Sequence, residues 1–221
     1  FNPFTINWIF KHLLTGTKLF TPVLSWSSYL MAFLHSDWQV YVGVDVMPSV
    51  CQRTQFLFDY YQQTLKPHLN HNERQRLDDK SLKLYCCPSE SLWDDHIFMT
   101  TYKDYFDATI MCPPYFNMEI YAEGQQSILS YPDYHQWLDQ YWETTVTVCY
   151  HVIRYGGKFA FVANNYETLN KQFYPIIHDL NMIALKDFKL VGMYNLLNRV
   201  SPLRVNKKAR TEMLFIYQKV N

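Results

Sequence analysis

Residues 106–116 read Phe106-Asp107-Ala108-Thr109-Ile110-Met111-Cys112-Pro113-Pro114-Tyr115-Phe116. Asn117-Met118-Glu119-Ile120-Tyr121 follows directly. An apolar run of strand length ends in a stiff Pro-Pro turn that carries an aromatic ring. Consecutive prolines fix the backbone and hold the preceding Cys112 extended. Pro-Pro-Tyr also occurs in ligands of proline-binding domains, but those need an exposed segment. Here the turn follows a buried strand.

Working outward, similar runs recur at 18–24, 39–45, 82–87, 157–163, 186–194 and 211–219. Helix-like segments lie near 5–14, 27–36, 48–65, 134–154 and 166–181. Strands apolar on both faces and separated by helices imply a mostly parallel sheet covered on both sides. The fold expected is α/β, a three-layer α/β/α arrangement of Rossmann type. It has a mostly parallel seven-stranded sheet with an antiparallel last strand. The last two runs have no helix between them, which predicts an antiparallel pair joined by 195–210. Residues 66–81 read as a polar surface insertion. One domain over 1–221 is expected.

The chain has 221 residues, 20 basic and 20 acidic side chains, and a net charge of zero. No global field draws it to nucleic acid, so phosphate contacts need a local patch. Residues 198–210 offer one, with Arg199, Arg204, Lys207, Lys208 and Arg210. A solvated connection between strands is the plainer account of the same charges. Five cysteines without framework spacing point to a reducing compartment, the cytoplasm or nucleus. His68 and His71 with Cys86 and Cys87 do not make a zinc pattern, since adjacent cysteines rarely share a metal, and no metal is expected. No apolar stretch is long enough for a membrane span, and no membrane partner is expected.

In open parallel sheets, ligands sit at the carboxyl ends of strands. Asp45 ends the second run about 20 residues past the first turn, the usual spacing for a carboxylate that meets ribose hydroxyls. It also precedes Pro48, where it could cap a helix.

Taken together, these segments resemble the amino-methyltransferases, which methylate adenine N6 or cytosine N4 in DNA with S-adenosylmethionine. The family turn reads Asp, Asn or Ser, then Pro-Pro-Tyr; here Cys112 stands first. The stretch 17–30 is similar to the family's cofactor loop, Asp-Pro-x-x-Gly-Trp-Gly-x-Arg. Pro22 and Trp26 match, Thr21 replaces Asp, Ser25 and Ser27 replace Gly, and Tyr29 replaces Arg. Gly43-Val44-Asp45-Val46-Met47-Pro48 matches the family's Gly-x-Asp-x-x-Pro. Ser89 and Glu90 stand at the turn that lies near the cofactor adenine. Gln125-Gln126-Ser127, Tyr131, Trp137-Leu138 and Gly156-Gly157 are similar to a viral, phage and bacterial branch. The match covers about residues 15–165, and 212–219 look like the family's closing strand.

The resemblance implies that S-adenosylmethionine is the cofactor and DNA the partner. Cys112, Pro113, Pro114 and Tyr115 would form the catalytic turn, with Phe116 beside a flipped base. A thiol is a weak acceptor, and serines lack glycine's freedom. Weak or absent cofactor binding is therefore expected. Two functions stand open: a DNA amino-methyltransferase, or a pseudoenzyme that serves as a structural, nucleic-acid-binding or protein-partner subunit, in a virus or elsewhere.

Overall fold

The structure, a computed structural model, describes residues 2–118, 120–121, 124–168, 170–197 and 211–220. Among these, the main-sheet strands are β1 (Lys18–Thr21), β2 (Val40–Asp45), β3 (Ser81–Cys86), β4 (Phe106–Met111) and β5 (Ile153–Ala163). A short hairpin follows, β6 (Tyr166–Glu167) with β7 (Phe173–Tyr174), and then β8 (Phe188–Leu197) and β9 (Thr211–Lys219). Seven of these strands form one sheet in the order β3-β2-β1-β4-β5-β9-β8. Pairing is parallel from β3 to β5. β9 runs antiparallel to both β5 and β8. The sheet is thus mostly parallel, with its last strand in the sequence reversed, as expected.

Alternation along the strands explains why both faces are covered. In β5, Phe159 and Phe161 point into one core while Ala160 and Val162 point into the other. In β9, Phe215 and Tyr217 join the first core, and Leu214 and Ile216 the second. Helices Pro3–His12, Ser28–Leu34 and Pro48–Tyr60 bury Ile6, Leu30, Phe33 and Val50 on the second side. Helices His96–Thr101, Thr144–Val152 and Ile176–Ala184 bury Phe98, Val148 and Leu180 on the first.

Several stretches depart from the sequence expectations, among them His96–Thr101, a helix where none was expected. The insertion 66–81 contains a helix, His71–Asp78. Asn70 accepts from the Glu73 amide, and Glu73 reaches back to the Asn70 amide, which closes a capping box. The helix expected over 166–181 begins only at Ile176, because 166–174 turn back as the β6–β7 hairpin. The helical run from Tyr134 to Val152 is present, but Trp137–Glu143 is wound as a π-helix.

Candidate functional site

The chain leaves β1 toward β2 and β3, then returns as β4 on the other side of β1. The loops after β1 and β4 therefore part above the sheet, and a crevice opens at this switch point. A cavity of about 310 Å³ lies there. All four sequence-predicted turns reach it. Pro22, Ser25 and Trp26 come from the first; Asp45 comes from the second; Ser89 and Glu90 come from the third. Cys112, Pro113, Pro114 and Tyr115 come from the fourth.

The first loop keeps a glycine-like path without glycine. Ser25, Trp26 and Ser27 have φ of 49°, 55° and 64° in succession. Each left-handed L-residue costs roughly 1–2 kcal/mol, so surrounding contacts must hold the loop. Ser27 Oγ pairs with Thr54 Oγ1 at 2.7 Å, which ties the loop to helix Pro48–Tyr60. Ser27 occupies the N-cap of Ser28–Leu34 but makes no side-chain cap bond there. The fully buried Tyr29 hydroxyl lies against the Ser25 side chain and the Cys112 backbone, and burial pushes its acidity well below that of a free phenol. Tyr29 thus joins the first loop to the Pro-Pro turn from below. Thr21 departs from the expectation that it meets cofactor. It is fully buried, its hydroxyl is 2.7 Å from Tyr41 Oη, and it does not line the cavity. Strand alternation turns its side chain into the helix layer.

Asp45 holds the first two turns together. Oδ2 accepts from the Leu24 amide at 3.3 Å and Oδ1 from the Met47 amide at 3.0 Å. The N-cap of helix Pro48–Tyr60 is Met47, so Asp45 sits outside that cap and faces the cavity. Burial pushes its carboxyl above the ordinary value, against the pull of those amides. Glu90 is pushed up in the same way and is 8% exposed. Ser89 Oγ is 3.1 Å from Thr145 Oγ1, which fixes the third turn to the helix behind it. Glu212 also faces the cavity, and no Lys, Arg or His is among the described lining residues. Three carboxylates without a cation favour a ligand with positive charge and disfavour phosphate.

On the fourth turn, Tyr115 stacks on Tyr166, with centroids 5.9 Å apart and planes 10° apart. Tyr166 stacks in turn on Tyr174 at 5.1 Å. The Tyr166 hydroxyl donates to Asn117 Oδ1 at 2.8 Å, and Asn117 Nδ2 donates to Tyr174 Oη at 3.2 Å. The β6–β7 hairpin therefore braces the Pro-Pro turn. Phe116, expected to meet nucleic acid, reaches the cavity wall beside Tyr115 but is only 5% exposed. Its ring packs on Tyr134, Trp137 and Tyr174 in the core.

Sequence reasoning missed part of the wall. Tyr121 and Gln126 exchange two backbone–amide bonds, Tyr121 N to Oε1 at 2.7 Å and Nε2 to Tyr121 O at 2.6 Å. Gly124 (φ +87°) lets this segment press on Val46, where a Cβ would lie 2.4 Å from the carbonyl oxygen. Tyr141, Gln125, Ser127 and Glu212 line the cavity as well. The Gln-Gln-Ser run and Gly124, one of only six glycines, were the available signals.

Arg199, Arg204, Lys207, Lys208 and Arg210 lie outside the described residues. Among the described residues, no helix is long and apolar enough to cross a membrane, and no three His, Cys, Asp or Glu side chains gather as a metal site.

No family model and no curated protein match the chain. Solved structures do. A S-adenosylmethionine-dependent methyltransferase from Methanosarcina mazei aligns with TM-score 0.57 and 9% identity, over 95% of each chain. An rRNA methylase from Streptococcus thermophilus aligns with TM-score 0.54 and 11% identity, over 99% of this chain and 95% of that one. A Streptococcus mutans structure in complex with SAH aligns with TM-score 0.53 and 11% identity, over 97% and 96%. Likeness at this identity speaks for architecture: the chain has the Rossmann-like fold of S-adenosylmethionine-dependent methyltransferases.

Proposed function

We propose that the cavity binds S-adenosylmethionine and that the protein is an amino-methyltransferase of the DNA-base type with weakened chemistry. One observation carries this. Four turns that resemble the family's cofactor and catalytic motifs, far apart in the chain, line a single cavity at the switch point. The cavity suits the cofactor in size and charge. Its volume is in the range of small-molecule sites, and its three carboxylates complement a sulfonium and an ammonium group. When bound, S-adenosylmethionine supplies an electrophilic methyl group. The chain's own residues then have three tasks. Asp45 accepts from ribose hydroxyls with the lone pairs that Leu24 and Met47 leave. Tyr115, braced by Tyr166, offers a π-face to a flipped base. The Pro113 carbonyl and position 112 orient the target amine. Cys112 performs the last task poorly, because sulfur accepts weakly.

A catalytically silent relative is the second reading, favoured by Cys112 and by the strained loop at Ser25–Ser27. Calorimetric titration with S-adenosylmethionine tests binding, and weak but saturable binding is expected. Methyl transfer to DNA then separates the readings. Cys112→Asn should raise transfer about a hundredfold, the usual worth of one well-placed transition-state hydrogen bond. Absence of transfer in both proteins, with binding intact, would leave the silent relative as the correct reading.

A further inference from the structure

Tyr141 is the odd residue in the cavity wall. It is 4% exposed, and among the described residues its hydroxyl has no hydrogen-bond partner. Its neighbours on the same helical run are satisfied. Trp137 Nε1 donates to Ser127 Oγ at 3.0 Å, and Trp142 Nε1 donates to the Leu180 carbonyl at 3.1 Å. A buried hydroxyl left unmade is costly and calls for a partner. Tyr141 also sits in the π-helical stretch Trp137–Glu143. Such widened turns are rare and cluster at functional sites, because they displace a side chain from its regular position. Thr145, four residues on, holds Ser89, and the Trp137–Glu143 stretch packs on Glu90–Asp94, so Tyr141 stands beside the Ser89–Glu90 wall. Burial, and after it the Glu90 carboxylate as the foremost of the ionisable neighbours, weakens the phenol as an acid, which agrees with that placement. The phenol stays protonated and can donate.

We propose that Tyr141 is a ligand-binding residue whose hydroxyl donates to the nucleoside half of the molecule bound against Ser89 and Glu90. The inference rests on the proposal that this cavity binds S-adenosylmethionine. It adds a polar contact that neither the catalytic turn nor the cofactor loop supplies.

The test is Tyr141→Phe, titrated calorimetrically with S-adenosylmethionine and separately with adenosine, with thermal melting of both unliganded proteins. The variant should bind both ligands about tenfold more weakly, the worth of one buried hydrogen bond. It should melt no lower than the wild type, because it removes an oxygen that the unliganded protein does not satisfy. Unchanged affinity for both ligands would overturn the inference and leave the proposed function standing. Loss for S-adenosylmethionine alone would overturn the assignment to the nucleoside half. A clearly lower melting temperature would show that the hydroxyl already has a partner in the protein, which also overturns it. If the wild type binds neither ligand, the proposed function fails first, and this inference falls with it.

Discussion

Replacing Ser25 by glycine and, separately, by alanine turns the backbone of the first loop into a measurable quantity. Both variants lose the hydroxyl that meets Tyr29, so that loss cancels between them. What remains is the response of each residue to φ of 49°. Alanine pays the left-handed penalty of roughly 1–2 kcal/mol. Glycine escapes it but gives up roughly 0.5–1 kcal/mol of conformational freedom on folding. Ser25→Gly should therefore be more stable than Ser25→Ala by about 0.5–1 kcal/mol. For a chain of this size that is a difference of about 1–4 °C in melting temperature. At ordinary φ the order reverses, because alanine is then favoured by about the same amount. Urea denaturation of the two variants in parallel gives the sign directly. If alanine proves equal or superior, position 25 is not left-handed in solution, and the strain attributed to the loop is wrong.

Glu90→Gln tests the buried acid. Its carboxyl is raised by desolvation, so its stabilising contribution is full below the unfolded value and is lost as pH rises through the folded one. The variant should be more stable than the wild type at pH 7, with the gap closing below about pH 4.5; a gap independent of pH would refute this. If DNA is the partner, alanine at Arg204, Lys207 and Lys208 should weaken binding and flatten its log–log salt dependence by about three units. Binding that does not change would make 198–210 a solvated connection.

Most of the sheet was legible because its strands carry apolar residues on both faces and so read as short continuous apolar runs between polar segments. All seven main runs became strands, β1 shorter and β5 longer than read. Arg154, Tyr155 and Gly156 hid the start of β5, because that end is exposed and carries a glycine pair. The 166–181 stretch misled because two-residue strands leave no periodicity to detect. Their evidence is the tyrosine stack, which exists only in three dimensions. The helix His71–Asp78 was readable in Asn70-x-x-Glu73, but its polar surface gave no apolar stripe.

At the site, the turns were placed correctly because motif spacing fixes strand ends. Side-chain direction was less visible. Thr21 lies in the right turn yet points inward, and Phe116 lines the cavity yet is almost wholly buried against its neighbours. Spacing fixes which loop reaches the cavity, whereas strand parity and neighbouring rings fix which atom does. The orphaned hydroxyl of Tyr141 was beyond reach, since a π-turn leaves no mark in composition.

The place of β9 has a bearing on how the chain is made. The strand inserted between β5 and β8 is made after both of its neighbours. Until residue 219 emerges, β5 has an open edge and β8 has nothing to pair with. The finished strand is fastened from within. Lys219 Nζ donates to Asp104 Oδ1 and to the carbonyls of Tyr150 and Ile153, all within 2.8 Å. During synthesis, then, a five-stranded parallel half stands with one raw edge, the unpaired backbone groups of β5, and awaits a latecomer. Slow translation or early truncation before residue 211 would leave that edge open to other chains.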